Sequence, residues 1–535
     1  MVKRFLFLLL LCFSLLSLSA CSIFQKTGTE ESDGKKKKKK KKKDSKKNNE
    51  NIDEEEEEEE EEEVEEDDVE EIDNSGFTFL DFEIDKELIN DVQPIVVYNK
   101  LTLKNSGYDK LAQSVDSLNN KIKNSYANSN KNREMYISNG YVIGRADNKV
   151  FSVMTKEDLY DEDSYFYLSS ATYDSKTGKN LSLSDIMNLD FNFDEIYSDF
   201  EFDPLLKDPN EFKSKIKNLI NDEANGNDDY KSDSDTAWTL GYNGVSIHTV
   251  VEIRSDGDDN YYYNQLVQFD IPYSTYPELY NKKYMVEPDE FGFSIATNGE
   301  FYYDINGDGE AEHIQLSANT SEYYNIEEYV LDIDGDITTI AADESAGYSL
   351  QDFVFIRANN KNYLMFNETS DNDGRIIRAI DLNKCEFVAN TDFDTYPHFP
   401  GYDFIAYNPR KMMLSNLIYT VSTLQVSNMY EFTSNEKFNK LSNSYKIESN
   451  FTFTSKVALQ ADVISDNGEV VERIDIAVGT KLYPYATDSD SYTDYKLEDG
   501  KTVRLPMNYD ENYGQGYIIN GMPVEDVFDG VLFAG

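Results

Sequence analysis

Two blocks of single-sign charge restrict where this chain can fold. Lys35–Lys43 is unbroken lysine and Glu54–Glu63 is unbroken glutamate, with further acid through Glu71. Segments of this kind bury too little apolar surface to offset the entropy of ordering them. Residues 22–73 therefore read as a solvated, low-complexity tether, and the folded part is expected after residue 73. That part is too long for one ordinary core, so about two to four domains are expected in the chain. The formal charge of −51 argues against nucleic acid, whose phosphates need Lys and Arg. It suits divalent cations and basic protein partners instead.

The residues before the tether form a leader. Lys3 and Arg4 supply a short positive region, and Phe5–Leu18 is an almost continuous apolar run. That run is short for a membrane span of about 20 residues. Leu18-Ser19-Ala20-Cys21 closes it. The order resembles the bacterial lipobox, which implies a signal peptide over 1–21, lipid on the Cys21 thiol and attachment to the extracytoplasmic face of the cell membrane. More than one acyl chain gives stable anchoring. The lysine block would then lie near anionic lipid, where each Lys contributes about 1 kcal/mol. Of the three cysteines, Cys12 leaves with the leader and Cys21 is acylated. Cys385 is left alone, expected as a half-buried strand residue, so no disulfide within the chain is expected.

Segment 77–285 mixes periodicities. Phe77–Ile84 alternates as a strand. Tyr108–Tyr126 has helical spacing, with Leu111, Val115, Leu118 and Ile122 on one stripe. Strands are expected over 141–153 and 164–172, and a short one at Leu181 and Leu183. Ser184 and Asp185 are candidate helix N-caps. A helix is expected over Pro209–Glu223 with Phe212, Ile216 and Ile220 inward. Trp238–His248 reads as a hairpin turning on Asn243-Gly244, and Val267–Ile271 as a strand running into Pro272-Tyr273.

This order, with Tyr173-Asp174, Thr177-Gly178-Lys179, Leu181, Leu183 and Asp185-Ile186 in residues 173–186, and with residues 238–249 and 267–274, resembles a known domain. It is the extracytoplasmic domain of the sigma-V-type anti-sigma factor family, also found in some peptidoglycan deacetylases. The resemblance implies a binding domain, since the anti-sigma members bind lysozyme. The chain departs from that family in having no cytoplasmic sigma-binding segment and no polysaccharide-deacetylase domain. Only the binding role is expected to carry over.

Segment 290–400 holds the sharpest motif. In Asp304-Ile305-Asn306-Gly307-Asp308-Gly309-Glu310-Ala311-Glu312, oxygen-bearing side chains recur every second residue. A loop curling round a cation turns alternate side chains inward, Gly309 permits the bend, and Glu310 can offer its carbonyl. Asp304, Asn306, Asp308, Glu310 and Glu312 are thus candidate Ca2+ ligands. An EF-hand would place Glu where Gln315 stands, so this is not one. The stretch resembles the calcium loops of integrin-type (FG-GAP/VCBS-like) repeats, which implies a structural ion. The alternative is a plain hairpin turn. Turns at Asp334-Gly335, Asn359-Asn360 and Asp371–Gly374 then predict an antiparallel meander. Asp332, Asp334 and Asp336 lack a glycine at the right place for a second loop.

Segment 401–535 shows strand patterns at 414–426, 451–463, 470–478, 481–485, 502–505 and 516–519 with turns between them, which predicts a small barrel. The expected class is α+β, namely an N-terminal α+β domain, an antiparallel β-rich meander and a small C-terminal β-barrel-like domain. No phosphate loop, zinc spacing or nucleophile elbow is present, and His248, His313 and His398 are far apart. The expectation is a non-catalytic surface protein that binds a wall glycan or a basic protein such as lysozyme. The alternatives are a peptidoglycan hydrolase or its accessory subunit, whose carboxylate pair cannot be picked out among 102 acidic residues, and a structural spacer.

Overall fold

The computed structural model describes residues 76–533 except 91–95, 130–136, 160–164, 199–205, 226–233, 255–261, 296–298, 322–324, 343–346, 370–374, 389–407, 449–450, 466–467 and 511–515. The leader with Cys21, the tether, the Asp371–Gly374 turn and His398 lie outside the described residues.

The first sheet has five strands in chain order: β1 (Phe82–Asn90), β2 (Val96–Leu103), β3 (Ile137–Ala146), β4 (Val150–Leu159) and β5 (Tyr165–Asp174). Helix α1 (Asp109–Ser129) connects β2 to β3, which are parallel where they meet. Its Leu111, Val115, Leu118 and Ile122 are all buried, as helical spacing requires. Helices α2 (Leu183–Ile186), α3 (Phe193–Ser198) and α4 (Pro209–Ala224) come next. They pack on a three-stranded sheet of β6 (Thr236–Leu240), β7 (Gly244–Arg254) and β8 (Tyr262–Pro272).

The expected strand and caps near residue 183 change. Leu183 is helical, and the cap of α2 is Ser182. Asp185 sits three residues on and its carboxylate takes the Ser182 N–H at 3.0 Å, closing a capping box. The β6–β7 turn falls on Asn243-Gly244 as expected. Gly244 has φ +133°, and a Cβ there would meet the Ile271 carbonyl at 2.3 Å, so no other residue fits.

Beyond residue 285, β9 (Phe291–Ser294) crosses to a later sheet, while β10 (Glu300–Tyr303), β11 (Glu312–Thr320), β12 (Ile326–Ile333) and β13 (Asp336–Ala341) form an antiparallel meander. Then β14 (Ser349–Ala358), β15 (Lys361–Thr369), β16 (Arg375–Asp381) and β17 (Glu386–Phe387) form a sheet with β9 at its far edge. The β14–β15 turn places Asn359 and Asn360 at φ +56° and +58°, which Asn tolerates better than most residues. Cys385 lies in the β16–β17 turn with φ +56°, not in a strand. The turn over 382–385, closed by the Cys385 N–H on the Asp381 carbonyl at 2.8 Å, ends the strand first.

The α+β expectation does not hold. Strands hold 54% of the structure and helices 14%. Many strands in 290–535 are short, and the sequence signal of the longer helices weighed too heavily. Nor do the described residues form a small C-terminal barrel. The strands from Met412 onward belong to one thirteen-stranded sheet system that runs from Met412–Tyr419 through Thr423–Phe432, Tyr445–Ile447 and Lys481–Thr487 to an edge at Val470–Ile476. Among the described residues no ladder joins its ends. Nor is any helix among them long and apolar enough to cross a membrane.

The apolar clusters do not respect the sequence segments. One runs from Leu80 and Phe82 through the α1 stripe to Phe291, Phe301, Leu316, Phe355, Phe366 and Leu382. Another joins Val354, Ile356, Met365 and Ile377 to Met412, Leu414, Tyr430 and Phe432. Polar ties reinforce both: Lys411 pairs with Asp81 at 2.8 Å, and Arg410 pairs with Glu290.

At the β3–β4 turn, Arg145 and Asp147 are fully buried and paired. Asp147 Oδ1 also accepts the N–H groups of Lys149 and Val150 at 2.7 and 2.9 Å, fixing the turn. The Arg145 guanidinium donates to the Tyr284 carbonyl and lies 5.6 Å from the Tyr242 ring centre. Substituting Arg145→Met should therefore leave a buried carboxylate without its cation and destabilise by about 3–5 kcal/mol, read as a lower denaturation midpoint. His248, within β7, is buried beside Thr239 Oγ1 at 3.0 Å, and burial lowers its pKa from 6.5 to about 4. The unfolded chain then binds the extra proton between those values. Stability from this group is complete above pH 6.5 and is lost as pH falls toward 4. Replacing it by His248→Gln should flatten the melting-temperature profile between pH 4 and 6.5 relative to the parent, and an unchanged slope would refute the assignment.

Candidate metal centre

The β10–β11 ladder pairs Tyr303 with Glu312, so residues 304–311 form the connecting loop. Gly307 and Gly309 take φ +79° and +91°, which the loop's curl demands and other residues resist. Asp304 spans the curl, taking the Gly307 N–H on Oδ1 at 2.6 Å and the Gly309 N–H on Oδ2 at 2.9 Å. Asn306 Oδ1 accepts the Asp308 N–H at 2.8 Å, and Asp308 Oδ1 accepts the Glu310 N–H at 2.9 Å. Glu312, buried at the start of β11, takes the Ile305 N–H at 2.8 Å. The chain thus winds round its own side chains.

Carboxylate oxygens of Asp304, Asp308 and Glu312 lie within 4.8 Å of one another. Among the described residues this is the only such group of three. The Asn306 amide nitrogen donates into it, to Asp308 Oδ2 at 3.1 Å and to Glu312 Oε1. Four of the five sequence candidates therefore converge. Glu310 does not bring its carboxylate to the group; it is exposed and enters through its backbone. The three carboxylates, at the head of a strand, are the oxygen donors a hard cation takes, while the Asn306 amide presents its nitrogen to them. Asp332 and Asp334 are spent on backbone, accepting from Gly335 N at 2.7 Å and His313 N at 2.9 Å.

The loop is held from outside by two residues that sequence reasoning did not select. The Ile305 carbonyl accepts Asn362 Nδ2 at 3.0 Å and Asn383 Nδ2 at 3.3 Å, from the start of β15 and the turn after β16. The curl is thereby gripped by the neighbouring sheet. Asn362 is 8% exposed, and its Oδ1 is buried without a hydrogen-bond partner. No local pattern flags either residue, because both belong to ordinary hairpin connections. Beside the loop, burial raises the Tyr303 hydroxyl pKa and Arg357, donating to it at 2.8 Å, opposes that shift. His313 faces away from Glu312, stacks on Tyr302 at 4.7 Å and meets Glu300 at 2.8 Å.

No protein-family model matches the chain, and no curated protein matches it. Two solved structures similar to part of it are a member of the DUF3298 family from Bacteroides fragilis NCTC 9343 and a DUF3298 family protein from Pseudomonas aeruginosa PAO1. Each is 13% identical with a TM-score of 0.23. The first covers 38% of this chain and 94% of its own, the second 39% and 98%. A likeness at that level decides nothing about function.

Proposed function

We propose that this chain is a non-catalytic, lipid-anchored extracytoplasmic protein that binds a ligand at the cell surface, with one Ca2+ ion in the 304–312 loop locking its β-rich body. The observation that carries the calcium reading is the convergence of Asp304, Asp308 and Glu312 within 4.8 Å, in a loop that Asn362 and Asn383 hold against the next sheet. Lipid on Cys21 and a position outside the membrane rest on the leader pattern. The ligand class, a wall glycan or a basic protein such as lysozyme, rests on the resemblance in 173–186, 238–249 and 267–274 and on the charge of −51, which draws basic partners.

Extracellular calcium sites bind at about 10⁻⁴ to 10⁻³ M. Calcium at about ten times the dissociation constant stabilises a folded state by about 1.4 kcal/mol. The melting temperature should rise by a few degrees in millimolar calcium and fall back with chelator. Asp304→Ala should abolish the rise. Asn306→Asp removes the amide donor and adds a fourth carboxylate, so it should melt lower without calcium and gain more from it. A parent protein whose melting temperature ignores calcium reduces the loop to a turn. For the ligand, the whole chain should bind lysozyme or purified peptidoglycan saturably. Binding to lysozyme should weaken as salt rises, and binding to neither would remove the ligand reading.

A further inference from the structure

The meander sheet ends in a strand whose outer edge faces solvent. Among the described residues β13 pairs only with β12, and the register runs unbroken from Asp336 opposite Ile333 to Ala341 opposite Glu328. The Ala342 N–H bonds the Glu327 carbonyl at 3.0 Å, so by alternation the N–H and C=O groups of Ile340 and Thr338 also face β12. Those of Ile337, Thr339 and Ala341 point the other way, and no described strand meets them. Ile337 is 65% exposed, and Thr339 and Ala341 are exposed as well. Natural edge strands are commonly blunted by Lys, Pro or a bulge. Ile337-Thr338-Thr339-Ile340-Ala341-Ala342 has none of these and no charge, and its β-branched residues favour an extended chain. The far edge of the thirteen-stranded system, Val470–Ile476, carries Glu472, Arg473 and Asp475 instead.

Charge lies around this edge rather than on it. Asp332 stands across the ladder from Ile337 and Glu328 from Ala341, with Glu327, Asp334 and Asp336 close by in the same hairpin. Residues 321–348 hold no Lys or Arg, and among the described residues none of these five carboxylates pairs with one. The structure assigns β13 as the docking edge for one extended, basic segment of a partner protein, which joins the sheet as a further strand. The outward N–H and C=O groups supply its main-chain hydrogen bonds, and its alternate side chains give it two faces. On one face apolar residues continue the core beside Ile340, which packs on the largest apolar cluster. On the other, Lys or Arg residues reach toward Glu328 across Ala341, whose methyl group leaves the way open. A second copy of this chain is the poorer occupant, because it brings the same five carboxylates to the contact. The inference needs neither the calcium ion nor lysozyme as the ligand; it names where a basic protein docks and by which groups.

The test is a titration of the whole chain with a synthetic peptide of about ten residues alternating Lys and Val, long enough to span β13. Its fully N-methylated twin carries the same charge and donates no main-chain hydrogen bond. The acidic tract attracts both peptides alike, so the difference between them reports the edge. The parent should bind the first peptide saturably and at least about tenfold more tightly than the twin. Thr339→Pro removes one outward N–H and leaves the β12 ladder whole, so it should erase that difference. Ile337→Lys, at an exposed position, should reduce it by like charge, and it stands in for the proline variant if that one loses its melting temperature. Equal affinity for the two peptides would mean diffuse attraction and overturn the proposal, as would no binding of either. So would a difference that survives in the folded variants, which puts the contact elsewhere. A concentration-dependent dimer of the parent in sedimentation, lost in Thr339→Pro, would give the edge to a second copy and overturn it as well.

Discussion

The buried pair of Arg145 and Asp147 is the constraint on which the first half of the molecule depends. Two charges with no exposure are tolerable only when every remaining donor and acceptor is met. Here the requirement recruits three pieces of chain: the β3–β4 turn through Lys149 and Val150, the segment after β8 through the Tyr284 carbonyl, and the Tyr242 ring. Tyr242 in turn stands 5.7 Å from Phe291, the first residue of β9. From there an aromatic chain runs through Phe293, Phe355 and Phe301. A polar specification at one turn thus fixes where the largest apolar cluster begins.

How much of this was legible in the sequence depended on how local the cause was. The stripe Leu111, Val115, Leu118, Ile122 needs only helical period, and it lies buried as expected. Hairpins at Asn243-Gly244, Asp334-Gly335 and Asn359-Asn360 arise from residues that accept positive φ. The loop from Asp304 to Glu312 was readable because its alternation and glycines are adjacent in the chain. The class was misjudged because short strands carry weak signals: Glu300–Tyr303 has four residues and Tyr445–Ile447 three. The partner of a strand is not written beside it. Nothing near Phe291 says that β9 joins β14 rather than β10. Asn362 and Asn383 were missed for the same reason, since their role is set by a carbonyl far away in sequence.

Charge and burial work against each other in this chain, and the structure places the compromise at turns. Asp147, Asp185, Asp304 and Asp488 each spend carboxylate oxygens on backbone N–H groups of nearby residues. An acidic side chain so used is both a solubilising charge and a turn-former, with the negative charge met by several N–H dipoles. In the last segment the same economy runs across strands. Asp494 and Asp462 pair with Arg504 and Arg473 on neighbouring strands, with contacts of 2.7 Å within each pair. Opposite charges directly across a ladder favour one register.

The apolar cluster that holds both Leu80 and Leu382 has a consequence for how the chain comes into being. A ribosome delivers residues in order, at about 5–20 per second. The α1 stripe and β1 are complete long before Phe355, Phe366 and Leu382 exist to cover them. For much of its synthesis the chain carries a half-covered sheet, and the buried faces meet only when the middle of the sequence has arrived. Such long-range closure is slow and exposed to misassembly.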